Sequence, residues 1–215
     1  MCWNQYVSIN TFAFGVFTLL LIAYNNKYSP YKIKEFNNIY IYFFFMSFIT
    51  MQLFEFFLWR NINNTYYNHL FSVLGACLIF IQPIASLTMI KDYSLMTKLI
   101  TVYTIPALTY LLYDMKNKYY ITSVSKTGHL KWQWTNLSIT MYAFWLFFLL
   151  YSLYSNKYYS GLILALFMFA YFYYLYYKDG SAGSLWCWSV NIFTIFFAIK
   201  ILIYLPFCTF SDLDH

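Results

Sequence analysis

Seven apolar stretches divide the chain, each ended by a few polar residues. A helix that crosses a hydrocarbon core needs about 20 mostly apolar residues. The stretches 7–24, 38–59, 69–90, 94–113, 134–154, 159–177 and 184–207 approach that length. The connectors are short except the fourth, 114–133. There Tyr, Ile, Ser and Val lead into Lys126, Thr127 and Gly128, and Leu130, Trp132 and Trp134 follow at every second position. A period of two around a glycine-bearing turn predicts a β-hairpin. The pattern predicts an all-α bundle of seven transmembrane helices in one integral membrane domain, 1–215. A small hairpin between helices four and five would cover one mouth.

Composition supports a membrane setting. The chain is 62% hydrophobic and 9% charged, against about 25% charged in soluble domains. So few charges could not cover a soluble core of this size, so the expected partner is the lipid bilayer. The net charge of +6 forms no basic run, which leaves nucleic-acid binding without support. Tyr and Phe together supply 49 residues and Arg one. Phe, Tyr, Ile, Asn and Lys share AT-rich codons, so part of this bias is genomic and single Tyr or Phe residues carry little functional weight. Cys2, Cys77, Cys187 and Cys208 show no CxxC spacing. The three histidines join no metal-ligand pattern, and no cofactor is expected. The first apolar stretch lacks a basic leader and reads as a first span rather than a cleaved signal.

Seven spans place the two termini on opposite sides. Lysine and arginine divide six against six between the two sets of loops. Three lysines follow the first helix and no charged side chain precedes it, which favours an outside N-terminus. The sequon Asn63-Asn64-Thr65 in loop two agrees with that orientation.

Depth can be argued without orientation. The N-side is the face holding the N-terminus and loops two, four and six. Trp3, Trp59, Trp132, Trp134, Trp186 and Trp188 fall at or near it, and only Trp145 lies deep. An interfacial aromatic belt explains part of this; a pocket lined by some of these rings is the alternative. Glu55 lies one turn below Trp59, roughly 6 Å into the second span. Gln52 sits on the same face one turn deeper. A carboxylate in hydrocarbon costs roughly 2.5–3.5 kcal/mol at the centre and less near the edge. Glu55 should therefore face the bundle interior or reach the headgroups. Ser184, Trp186, Trp188, Ser189 and Asn191 open the seventh helix, and Thr135, Asn136 and Ser138 open the fifth. Gln82 and Pro83 lie deeper on the third, where the proline should free a carbonyl. The candidate ligand-binding set is Glu55, Gln52, Trp59, Gln82, Asn136, Ser184, Trp186, Trp188 and Asn191. Interhelical hydrogen bonds that only hold the bundle together explain the same residues.

A lysine in a seventh helix invites comparison with a retinal Schiff base. Lys200, however, lies roughly 24 Å below Ser184, far from Glu55, and snorkelling to the opposite surface accounts for it. No GxSxG or HExxH occurs, and one buried carboxylate without a nucleophile or metal set is weak support for catalysis.

The segments MQLFEFFLW (51–59), QP (82–83) and GSLWCW (183–188) resemble a family of uncharacterised polytopic membrane proteins of large DNA viruses and algae. That resemblance implies a multi-pass protein of a viral or host membrane and assigns no activity. Seven helices in 215 residues also match the size of small sugar transporters. Yet Pro83, Pro106 and Pro206 do not fall in matching repeat positions. The leading expectation is a non-enzymatic membrane protein that binds or passes a small ligand or ion through a polar cavity around Glu55. A structural or interaction protein of a viral or host membrane is the alternative, and an intramembrane enzyme comes third.

Overall fold

Short polar side chains start most of the helices. Asn4, Asn38, Asn64, Asp92 and Ser138 each accept a hydrogen bond from an amide of the first turn that follows, which satisfies a donor the helix itself leaves open. The computed structural model describes residues 4–135, 137–189 and 191–206. The helices are α1 (Gln5–Tyr28), α2 (Ile39–Arg60), α3 (Thr65–Leu87), α4 (Tyr93–Asn117), α5 (Ile139–Ser155), α6 (Tyr159–Tyr176) and α7 (Ala182–Tyr204). Six of them are long and apolar enough to cross a membrane, and α5 has 17 residues. The chain is thus a multi-pass helical membrane protein. α7 comprises the α-helical pieces Ala182–Ser189 and Asn191–Ile199 and a π-helical turn Lys200–Tyr204. The end of the predicted seventh span, Phe207, lies outside the described residues.

The fifth helix differs from the predicted 134–154. Gln133–Thr135 form a 3-10 turn that continues the hairpin, and the helix begins only after the Ser138 cap. Hydropathy placed Trp134 in the span because its ring is buried, but the ring is buried against the hairpin rather than on the helix.

α1 to α4 pack in chain order. α3 also meets α5, and α6 meets α5 and the start of α7. The first half of α7 touches α2, and its second half runs against α1. The interior is therefore built from α2, α3 and α7. α4 buries only Tyr103 and Asp114, and α6 buries none of its residues; these two helices turn most of their surface to lipid. Close approach of α1 to α2 depends on Gly15, where a Cβ would come within 2.8 Å of Ile49. Lys200 reaches Glu35 in loop one, with Nζ 3.8 Å from the carboxylate, at the face opposite Trp59 and away from Glu55.

Pro83 has the expected effect on its helix. It lacks the N–H that would bond to the Ile79 carbonyl. The indole of Trp145 on α5 donates to that carbonyl at 3.0 Å, and the Tyr103 hydroxyl on α4 donates to the Phe80 carbonyl at 3.0 Å. The carbonyl that the proline leaves open thus ties in α5, and the Phe80 carbonyl next to it ties in α4. Trp145→Phe should lower unfolding stability in detergent by about 1–3 kcal/mol, because it leaves a buried acceptor unmatched. Adding Pro83→Ala should restore part of that loss, since alanine supplies the missing N–H. Strictly additive effects in chemical unfolding would show that the indole does not replace the proline's missing bond.

Candidate functional site

The hairpin sits on the N-side of the bundle because α3 presents amide-like partners to it. Strand β1 (Thr122–Val124) pairs antiparallel with β2 (Leu130–Trp132), with Thr122 opposite Trp132. Gly128 takes φ +79° in the turn, where side chains other than glycine are strained. On α3, Asn68 donates to the Thr122 carbonyl at 2.8 Å and accepts from the Thr122 amide at 2.8 Å. The Ser72 and Thr122 hydroxyls meet at 2.9 Å. His69 Nδ1 lies 2.9 Å from the Tyr120 carbonyl, and its ring stacks on Tyr119. The first two turns of α3 therefore do for β1 what a neighbouring strand would do.

The other flank is held by α7 and the loop before it. Ser184 donates to the Leu130 carbonyl at 2.9 Å. Asp179 accepts from Thr127 at the hairpin tip at 2.5 Å and from Ser181 at 2.8 Å. Burial works to raise the Asp179 pKa, but the Thr127, Ser125 and Ser181 hydroxyls and nearby His129 outweigh it and hold the carboxyl below its ordinary value. The Trp132 and Trp134 rings stack in parallel with centroids 5.0 Å apart. Both rings are buried, and they press on glycines. A Cβ on Gly75 would lie 3.2 Å from Trp134, and one on Gly183 3.3 Å from Trp132. These two tryptophans form a plug rather than a belt. Trp186 is also buried, packed edge-on against Phe48, Trp145 and Phe169. Trp59 and Trp188 are half-buried, and Trp3 lies outside the described residues.

Level with the plug lies a polar layer. Glu55 is 0% exposed and Gln52 1%. Met51 and Gly75 approach one another across α2 and α3, which sets Glu55 level with Ser72. Cys187, buried on α7, lies within electrostatic range of the Glu55 carboxyl. Glu55, Gln52, Ser184, Trp186, Trp188 and Asn191 thus share the N-side half of the bundle. Gln82 does not. By the same register it stands opposite Phe44, about eleven residues and roughly 16 Å below Glu55. Asn136 lies outside the described residues. The polar side chains that α7 carries at this end donate to main-chain carbonyls. Ser184 bonds to Leu130 and Ser181, Ser189 to Trp186, and Asn191 to Trp188. The buried Gln52 Nε2, Trp59 Nε1 and Trp132 Nε1 meet no acceptor among the described residues.

Asn68 and Asp179 were missed from the sequence. Asn68 and Ser72 fall one turn apart on one face of α3, and that spacing was the available signal. Among the described residues no three His, Cys, Asp or Glu side chains converge where a metal could bind. No family model, curated protein or solved structure matches the chain.

Two outcomes test this arrangement. Asn68→Ala strands both polar groups of Thr122, so trypsin should cut faster after Lys126 and Lys131 than in the parent; unchanged cleavage would show that the amide does not hold the hairpin. Asp179 supplies the pH test. Its folded value is depressed, so its contribution is present above the ordinary carboxylate value and is lost as pH falls through the folded one. Acidification through that window should loosen the tip and change tryptophan emission, and Asp179→Asn should remove the transition.

Proposed function

We propose that this multi-pass membrane protein binds or passes a small ligand or ion in the polar layer around Glu55, with the hairpin plug as its N-side closure. The observation that carries this reading is the complete burial of Glu55 beside Gln52 in a membrane-embedded helix. A carboxyl group recognises positive charge, so this reading assigns the site a cation, a proton or a cationic small molecule. Gln52 and Trp59 carry neutral donors on the same face of α2. The N-side is taken as the outer face. The resemblance of 51–59, 82–83 and 183–188 to the viral and algal membrane family supports a viral or host membrane as the setting. Two of those segments lie on α2 and α7, which pack against each other.

The rival reading is a structural role. It is favoured by the main-chain partners of Ser184, Ser189 and Asn191, which tie these side chains to the hairpin and to α7 itself. Glu55 variants separate the two. Thermal unfolding of purified protein should be followed against pH and against sodium, potassium, calcium and choline, with native mass spectrometry for retained small molecules. A ligand at a hundredfold excess over its Kd stabilises the folded state by about 2.7 kcal/mol. At least one condition should raise the melting temperature of the parent and leave Glu55→Gln unmoved, with Glu55→Gln folded. If none moves the parent, and Glu55→Leu alone is destabilised, the residue serves packing only.

A further inference from the structure

A second N-side feature lies outside the polar layer. A cleft of about 560 Å³ opens between the hairpin, α5, α6 and the start of α7. One wall is cationic, with Lys131 on β2 and Lys178 just past α6; Lys118 lies at the rim. The other wall carries the phenols of Tyr142, Tyr173 and Tyr177. Tyr173 and Tyr177 are one turn apart on α6 with rings 4.7 Å apart, and Tyr142 lies 5.8 Å from Tyr173.

Charge accounting favours an anion. Lys118 is paired with Asp114 at 2.6 Å. Among the described residues neither Lys131 nor Lys178 belongs to an ion pair. The nearest acid in sequence to Lys178 is Asp179, which accepts from Thr127 and Ser181 at the hairpin tip and keeps its charge there, so the two lysines against one carboxylate still leave the cleft net positive. Lys131 is also held in place. Gly180 takes φ +76°, and a Cβ there would meet the lysine stem at 2.8–3.2 Å. The glycine thus leaves the room in which the stem lies. The cleft stands at the helix ends, at headgroup depth, and α6, which forms one wall, buries none of its residues. A ligand could therefore enter from the lipid with its tail still in the bilayer.

We propose that this cleft binds the phosphate of an anionic phospholipid headgroup between Lys131 and Lys178, beside the hydroxyls of Tyr173 and Tyr177; the Tyr142 hydroxyl is committed to the Thr135 carbonyl and contributes only its ring to the wall. Lysine is suited to phosphate as a point charge, and a basic pocket beside transmembrane helices is a recognised headgroup site. The proposal does not involve Glu55 and stands or falls apart from it.

Native mass spectrometry of the purified full chain, titrated with phosphatidylglycerol or phosphatidylcholine, tests it. Phosphatidylglycerol should bind at least tenfold more tightly. Each lysine removed should weaken it about fivefold, so Lys131→Ala with Lys178→Ala should lose roughly 30-fold, while the paired arginine variants retain binding. Lys116→Ala, at the same face but outside the cleft, should match the parent. Gly180→Ala should weaken binding by displacing Lys131. Melting temperatures of the lysine variants, all at exposed or half-exposed positions, check that they remain folded. Equal binding of the two lipids, or full binding by the double alanine variant, overturns the proposal. Stabilisation by inorganic phosphate without phosphatidylglycerol binding also overturns it and assigns the cleft to a soluble phosphate.

Discussion

Inside a bilayer no water is available to satisfy a backbone amide or carbonyl, so each must find its partner within the protein. Regular helix meets that demand for most of this chain. The irregular places are where the fold is decided. At each of them a side chain stands in for a missing main-chain partner. Trp145 and Tyr103 take carbonyls beside Pro83. Asn68 takes both groups of Thr122. Asn26 accepts from the Ile33 amide and donates to the Ile33 and Phe36 carbonyls, which holds loop one against the end of α1. Asn156 donates to the Met89 carbonyl where α3 gives way to its loop.

Asparagine recurs in this role for a physical reason. Its side chain carries one acceptor and two donors in the geometry of a peptide group, so it can pair with an exposed stretch of backbone as a strand would. The abundance of asparagine in the sequence has a genomic explanation in its codons. Where these residues stand is a separate matter, and Asn26, Asn68 and Asn156 each sit where a loop must dock. Composition can supply a residue type in excess, and the fold then uses it where the bilayer leaves a bond unmade.

This explains what could be read beforehand. The seven helices, six of them long and apolar enough to span, follow from runs of apolar residues, because that signal is local. The hairpin follows from the period of two around Gly128, also local. The start of α5 was not legible, since Trp134 looks the same to a hydropathy scan whether its ring packs from a helix or from a 3-10 turn. For the candidate site, helical rise was enough to put Glu55 and Gln52 near the start of α7 and to set Lys200 apart. It was equally able to exclude Gln82, which shares no level with Glu55 once Met51 and Gly75 fix the register. The docking role of Asn68 was not legible in the same way, because its partner Thr122 is 54 residues away and the contact exists only after the hairpin has folded back.

Strand β2 joins the two N-side features. Successive residues of a strand face opposite ways. Leu130 and Trp132 are buried, and Lys131 between them is only half-buried. Trp132 thus packs against Trp134 and Gly183, while the next residue back lines the cleft. The strand is anchored at both edges, by pairing with β1 and through Ser184 on α7, so it moves as a unit or not at all. The same three-residue strand therefore sets a ring in the buried face of the hairpin and a cation in the cleft, with no residue between them.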